Sequence, residues 1–113
     1  GIGYPERGTS FDPAGLLKRM SPSFIGKPNI LLFHAPTNIE VFKAAGINLQ
    51  LSGHTHLGQM FPFSFVTKAI YRGHDYGLYQ DGGYTLYTTN GIGTWGPPLR
   101  VGNTPEIVMI TLE

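Results

Sequence analysis

Two histidines separated by a single residue, His54 and His56, lie in the segment Gly53-His54-Thr55-His56-Leu57-Gly58-Gln59. On an extended backbone alternate side chains leave the same side, so both imidazoles can reach one cluster of metal ions. Neutral imidazole is a good ligand for Zn, Mn and Fe. The flanking glycines let the chain turn sharply and approach a ligand closely. A His-x-His tripeptide alone is more often a pair of ordinary loop residues. His34 shifts the balance, because it ends the apolar run Asn29 to Phe33 just as His54 follows the run Ile47 to Leu51. His34, His54 and His56 are therefore expected to converge on one metal site. His74, in Arg72-Gly73-His74-Asp75, reads as a surface loop residue.

The elements that must position these side chains follow from local signals. Asp12 before Pro13 reads as an N-cap followed by proline at the first helical position, and Leu16, Leu17 and Met20 give a short helix ending near Ser21-Pro22. Asn29 to Phe33 has the character of a strand buried on both faces. Thr37 or Asn38 can cap a second helix through Ile39, Val41, Phe42 and Ala45, with Gly46 as its left-handed end. Ile47 to Leu51 is the next strand, and the result is a βαβ-like unit that sets His34 and the His54 loop at neighbouring strand ends. Beyond it, Tyr79 to Thr88 reads as a hairpin around Asp81-Gly82-Gly83, and Glu106 to Leu112 as a final, covered strand. The fold class expected is α/β, a βαβ-like unit followed by largely antiparallel strands, with residues 1-113 forming a single domain.

Composition limits the alternatives. In 113 residues there are 16 glycines and nine prolines, which imply short elements and many turns. Charged residues make up only 13%, about half the usual share, and the formal net charge is +1. No basic stripe is present, so nucleic acid is not an expected partner. The lack of cysteine removes disulfides, thiolate sites and cysteine nucleophiles together. No apolar run approaches the roughly 20 residues of a membrane-spanning helix.

The series of strand, His34-Ala35-Pro36, helix, strand and Gly53-His54-Thr55-His56 resembles the C-terminal half of the calcineurin-like metallophosphoesterases. The later Asn90-Gly91-Ile92-Gly93-Thr94-Trp95-Gly96, with Pro98-Leu99-Arg100, is similar to a subgroup often found at bacterial membranes. The resemblance implies a four-layer α/β/β/α sandwich, of which this chain supplies one sheet and its helices. It also implies a metal-dependent phosphoesterase that hydrolyses phosphomonoester, phosphodiester or lipid-linked pyrophosphate bonds with two divalent transition metals, Mn, Fe or Zn. In that family the residues matching His34 and His54 bind one metal and that matching His56 binds the other. An Asp-x-His, a Gly-Asp-x-x-Asp and a Gly-Asn-His-Asp or Glu normally supply the remaining ligands and the catalytic acid, and none of the three occurs here. The resemblance thus implies a partner, the N-terminal half of the same protein, and a chain incompetent alone. Leu57-Gly58-Gln59 stands where the subgroup has Gly-Gly-Gln, and Asn90 stands where arginine is frequent.

Asn90, Gly91 and Arg100 are the substrate-binding candidates. Backbone N–H groups of the glycine-rich segment can face a phosphate, and a guanidinium can pair with phosphate or a lipid head group. A structural loop with a solvated arginine fits these residues equally well. Phe61, Pro62, Phe63, Phe65, Val66, Ile70 and Tyr71 form an apolar stretch that is either core or a flap beside an amphiphilic substrate, and core packing is the simpler reading. The expected location is cytoplasmic or peripheral at a membrane. The chain starts at Gly1 rather than Met, which leaves an upstream anchor open. Half of a sandwich would leave a sheet face uncovered, so self-association is a further expectation. The other function classes compatible with these residues are a non-catalytic metal-binding module and an assembly domain that keeps the histidines.

Overall fold

The computed structural model describes residues 10–112. Helix α1 (Pro13–Phe24) opens at Asp12, whose Oδ1 accepts from the Gly15 N–H at 2.9 Å. It runs through Pro22 rather than stopping there. Pro22 has no N–H to give the Lys18 carbonyl, and the Ser21 hydroxyl donates to that carbonyl instead at 2.9 Å. Strand β1 (Ile30–Leu32) follows, then α2 (Ile39–Ala44), whose N-cap position Asn38 is left-handed and makes no capping bond with its side chain. Gly46, at φ 80°, provides the expected left-handed exit. Strand β2 (Leu49–Ser52), helix α3 (Phe63–Ile70) and the hairpin strands β3 (Gly77–Asp81) and β4 (Tyr84–Thr88) complete the elements.

The four strands form one mixed sheet in the order β1-β2-β4-β3. β1 pairs parallel with β2, aligning Leu31 with Gln50, and β2 pairs parallel with β4, aligning Ser52 with Thr88. Only β3 runs antiparallel. The hairpin is therefore as expected, but its inner strand extends the parallel sheet, so the second half is not purely antiparallel.

One sheet face is covered by α1 and α2. Leu17, Leu31, Phe33, Phe42, Ile47, Tyr84 and Leu86 form the core, with Phe42 edge-on to Phe33 at a centroid distance of 5.1 Å. Within it the Tyr84 hydroxyl donates to Gln50 Oε1 and the Gln50 Nε2 donates to Ser52 Oγ at 2.9 Å, so the buried polar atoms of this layer pair with one another. Burial pushes the Tyr84 phenol well above its ordinary range, with the neighbouring Tyr79 and Glu40 acting in the same direction.

Two strand expectations fail on burial and pairing. β1 is an edge strand buried on one face only, with Ile30 and Leu32 about half exposed. Glu106 to Leu112 is not a strand: it passes over the open sheet face, where Leu51, Tyr87, Ile107 and Val108 line a cleft of about 330 Å³. A strand needs a neighbour's backbone ladder. The backbone of this segment meets the rest of the described residues through the Glu106 N–H and the Gly91 carbonyl at 3.2 Å, which is not a ladder.

Candidate metal centre

Because β1, β2 and β4 are parallel, their C-terminal ends emerge on one side of the sheet. His34, His54 and Asn90 each stand two residues beyond the end of their strand, at Leu32, Ser52 and Thr88 respectively. The ladder continues one step past the strands, with the Gly53 N–H donating to the His34 carbonyl and the Thr89 N–H to the Ser52 carbonyl, both at 2.9 Å. This pins the two histidines side by side. His54 Nδ1 lies 2.8 Å from His34 Nε2, and the rings meet edge to face with centroids 4.7 Å apart. Desolvation of its ring, and then the charges of His34 and His56, hold the His54 imidazole below its usual pKa, favouring the neutral form that binds metals.

His56 goes a different way. The segment is not extended: Thr55 is right-handed helical, and His54, His56, Leu57, Gly58 and Gln59 all have positive φ. The alternation of side chains that would send His56 after His54 does not apply to such a turn. His56 Nδ1 faces the Arg100 Nη2 at 3.4 Å. Among the described residues, no three His, Cys, Asp or Glu side chains gather closely enough to hold an ion. Within this chain the preorganised element is the His34–His54 pair, with His56 beside it. His74 packs its ring on Tyr79 at 4.3 Å and is partly buried, more structural than a surface residue.

Several residues without an obvious part in the sequence hold this loop. Thr55, between the histidines, is buried and donates its hydroxyl to the Asp75 carbonyl at 2.7 Å. The buried Asp75 carboxylate accepts from Thr67 of α3 at 3.0 Å, which ties the histidine loop to that helix. Gly58 sits against the start of α3, where a Cβ would lie 2.4 Å from backbone atoms of Phe63 and Ser64. Leu57 adopts φ 50°, a conformation that suits glycine better. Buried Gln59 grips the glycine-rich segment: its Nε2 donates to the carbonyls of Trp95 at 2.9 Å and Pro97 at 3.1 Å, and its Oε1 accepts from the Trp95 N–H. Replacing Gln59 with Leu should free this segment at a local cost of about 2 kcal/mol. Exchange of the Trp95 amide hydrogen would then accelerate by roughly 30-fold, and unchanged exchange would contradict the role.

Arg100 and Asn90 organise the same segment from within. The Arg100 Nη2 donates to the carbonyls of Asn90 at 2.8 Å, Gly91 at 3.1 Å and Gly93, and Nη1 donates to Asn103 Oδ1 at 2.8 Å. Asn90 donates its Nδ2 to the Thr104 carbonyl at 2.7 Å. The Glu106 carboxylate accepts from Tyr76, Thr89 and the Asn90 N–H, clasping the C-terminal segment to the loop after β4. Thus Gly91 and Arg100 meet each other in one turn, with the guanidinium turned toward backbone carbonyls and His56.

The chain is 46% identical over 88 residues to an uncharacterised metallophosphoesterase of Campylobacter jejuni, covering 77% of this chain and 23% of that protein. It is 37% identical over 105 residues to an uncharacterised metallophosphoesterase of Bacillus subtilis, covering 90% of this chain and 36% of that protein. A transmembrane protein with metallophosphoesterase domain from Bos taurus is 39% identical over 89 residues, covering 76% of this chain and 20% of that protein. No family model matches the chain, and no solved structure matches it significantly. The fold is that of an α/β protein whose histidine pair stands at parallel strand ends. The chain belongs to the metallophosphoesterase family. It spans about a quarter of the length of the first curated relatives it matches.

Proposed function

We propose that the natural protein hydrolyses phosphoester bonds with the aid of divalent transition metals, and that His34, His54 and His56 are this chain's contribution to the metal ligands. The observation that carries the reading is the facing pair of nitrogens 2.8 Å apart on His34 and His54. Metal–imidazole bonds are about 2.0–2.1 Å, so two such ligands on one ion sit roughly 3 Å apart, and the pair needs to open by only a few tenths of an ångström. The donor set fits a transition metal. Divalent metals, when bound, supply Lewis-acid polarisation of phosphoryl oxygens and acidify water.

The chain's own residues then have separable tasks. The sheet ladder holds His34 and His54 in register, Arg100 fixes the side on which His56 stands, and the Asn90–Gly93 turn walls the site. Imidazoles bring no negative charge to balance divalent ions, so the reading assigns the carboxylate ligands and the acid to another part of the natural protein. A peripheral position at a membrane belongs to the same reading. It is supported by relatives named as transmembrane proteins, while no helix among the described residues is long and apolar enough to cross a bilayer.

The test is hydrolysis of a phosphodiester by the natural full-length protein before and after chelation, with metal content measured in parallel. Turnover is expected to fall at least about 100-fold on chelation and to return with manganese or zinc. The isolated 113-residue chain should remain slower by about 10² to 10⁴ for want of general acid–base help. Full turnover by metal-free protein would overturn the reading. Metal binding with no turnover on any phosphoester would favour the non-catalytic metal-binding module instead.

A further inference from the structure

Helix α3 is built inside out. Two of its polar positions, Ser64 and Thr67, face the protein: the Ser64 backbone lies against Gly58, and the Thr67 hydroxyl bonds to the Ser64 carbonyl and the buried Asp75 carboxylate. Its apolar positions face away. Phe63, Phe65, Val66 and Ile70 are each more than half exposed, as is Phe61 just before the helix, and no residue of α3 is buried. Phe61 and Phe65 meet edge to face, with centroids 5.9 Å apart. Trp95, three-quarters exposed, stands on the neighbouring segment that Gln59 grips. The expectation that this stretch forms core is therefore corrected: there is nothing on its outer side among the described residues to pack against.

An exposed apolar face of this size has a partner. The charges around it indicate which kind. From Val41 to His74 the sequence contains no Asp or Glu, while Lys68 in the last turn of α3 and Arg72 just after it are both exposed. The next acid, Asp75, is buried and bonded to Thr67. Bulky apolar side chains with two long cations at their margin, against one exposed acid, Glu40, which shares a cleft with Ile70 and Arg72, are the chemistry of a helix lying in the interface of an anionic bilayer. There the rings enter the acyl boundary and the cations reach the head groups.

We propose that α3, with Phe61 before it, is a membrane-docking surface that binds anionic lipid and lays the mouth of the histidine site against the bilayer. Gly58 and Thr55 couple the helix to the loop that carries His54 and His56, so the docked face and the site move as one body. The proposal rests on the membrane-peripheral part of the reading above and is independent of its hydrolytic part.

The test uses the natural full-length protein carrying Phe65→Cys labelled with an environment-sensitive fluorophore, and a second label at Ile25→Cys, an exposed position at the end of α1. Vesicles of phosphatidylcholine containing phosphatidylglycerol should blue-shift the label at position 65 and leave that at position 25 unchanged. Neutral phosphatidylcholine vesicles should do much less. The double substitution Lys68→Glu with Arg72→Glu should weaken the vesicle response roughly 20-fold or more, at about fivefold per cation near a charged surface. No response to any vesicle would overturn the proposal. So would a label already blue-shifted without lipid, which would mean that a protein segment covers the helix, and so would an equal response to neutral and anionic vesicles.

Discussion

Replacing His54 with alanine in the natural full-length protein should lower its affinity for manganese or zinc by at least about 100-fold in a calorimetric titration. Changing even a group that merely orients a ligand costs about 10- to 100-fold in affinity, and the role proposed for His54 is that of the ligand itself. Its ring is held 2.8 Å from His34 by a parallel ladder that runs past the ends of β1 and β2, so truncating it removes one of two facing nitrogens. His34→Ala should cost as much, because each histidine is half of one pair. His56→Ala should weaken binding by a smaller factor, since its ring stands apart, beside Arg100. Equal affinities for the parent and all three variants would remove the site assignment altogether.

Gly58→Ala should be the most damaging single methyl in the loop, destabilising the protein by about 2–4 kcal/mol in denaturant titration. Two effects add. The added Cβ would lie 2.4 Å from the backbone of Phe63 and Ser64, which has no flexible side chain to move aside. The residue also has φ 71°, where any L side chain costs about 1–2 kcal/mol. The relief available is to push α3 away from the histidine loop, so hydrogen exchange should quicken at Thr55 to Gln59 before it does in the sheet. Parent-like stability would show that the loop and α3 are not in the tight contact described.

Much of the positioning framework was legible in the sequence because its signals are local. The cap at Asp12, the left-handed exit at Gly46, the hairpin at Asp81-Gly82-Gly83 and the strand, helix, strand order between Asn29 and Leu51 all depend on a few adjacent residues. What was missed depends on partners distant in sequence. The parallel pairing of β4 with β2 makes Asn90 the third strand-end residue of the site, and no turn signal announces it. Glu106 to Leu112 has the apolar content of a strand, yet strand formation needs an available neighbour and not content alone. The helix at Phe63 was read as core because aromatic residues are usually buried. Its true signal was the placement of Ser64 and Thr67, three residues apart on one face, among the rings. The expected shared direction of His54 and His56 assumed an extended segment, and the run of positive φ values turns His56 aside.

The two halves of this site are fastened by unrelated means, and they are vulnerable to different injuries. His34 and His54 hang on the sheet itself, so whatever spares the sheet spares them. The turn at Asn90–Gly93 is moored instead by three side chains, Arg100, Asn90 and Glu106, to a stretch of chain near the terminus that has no regular structure. A single protease cut between Gly102 and Glu106 would slacken that mooring while leaving the histidine pair upright. A nicked molecule would thus keep its two facing imidazoles and lose the turn beside them.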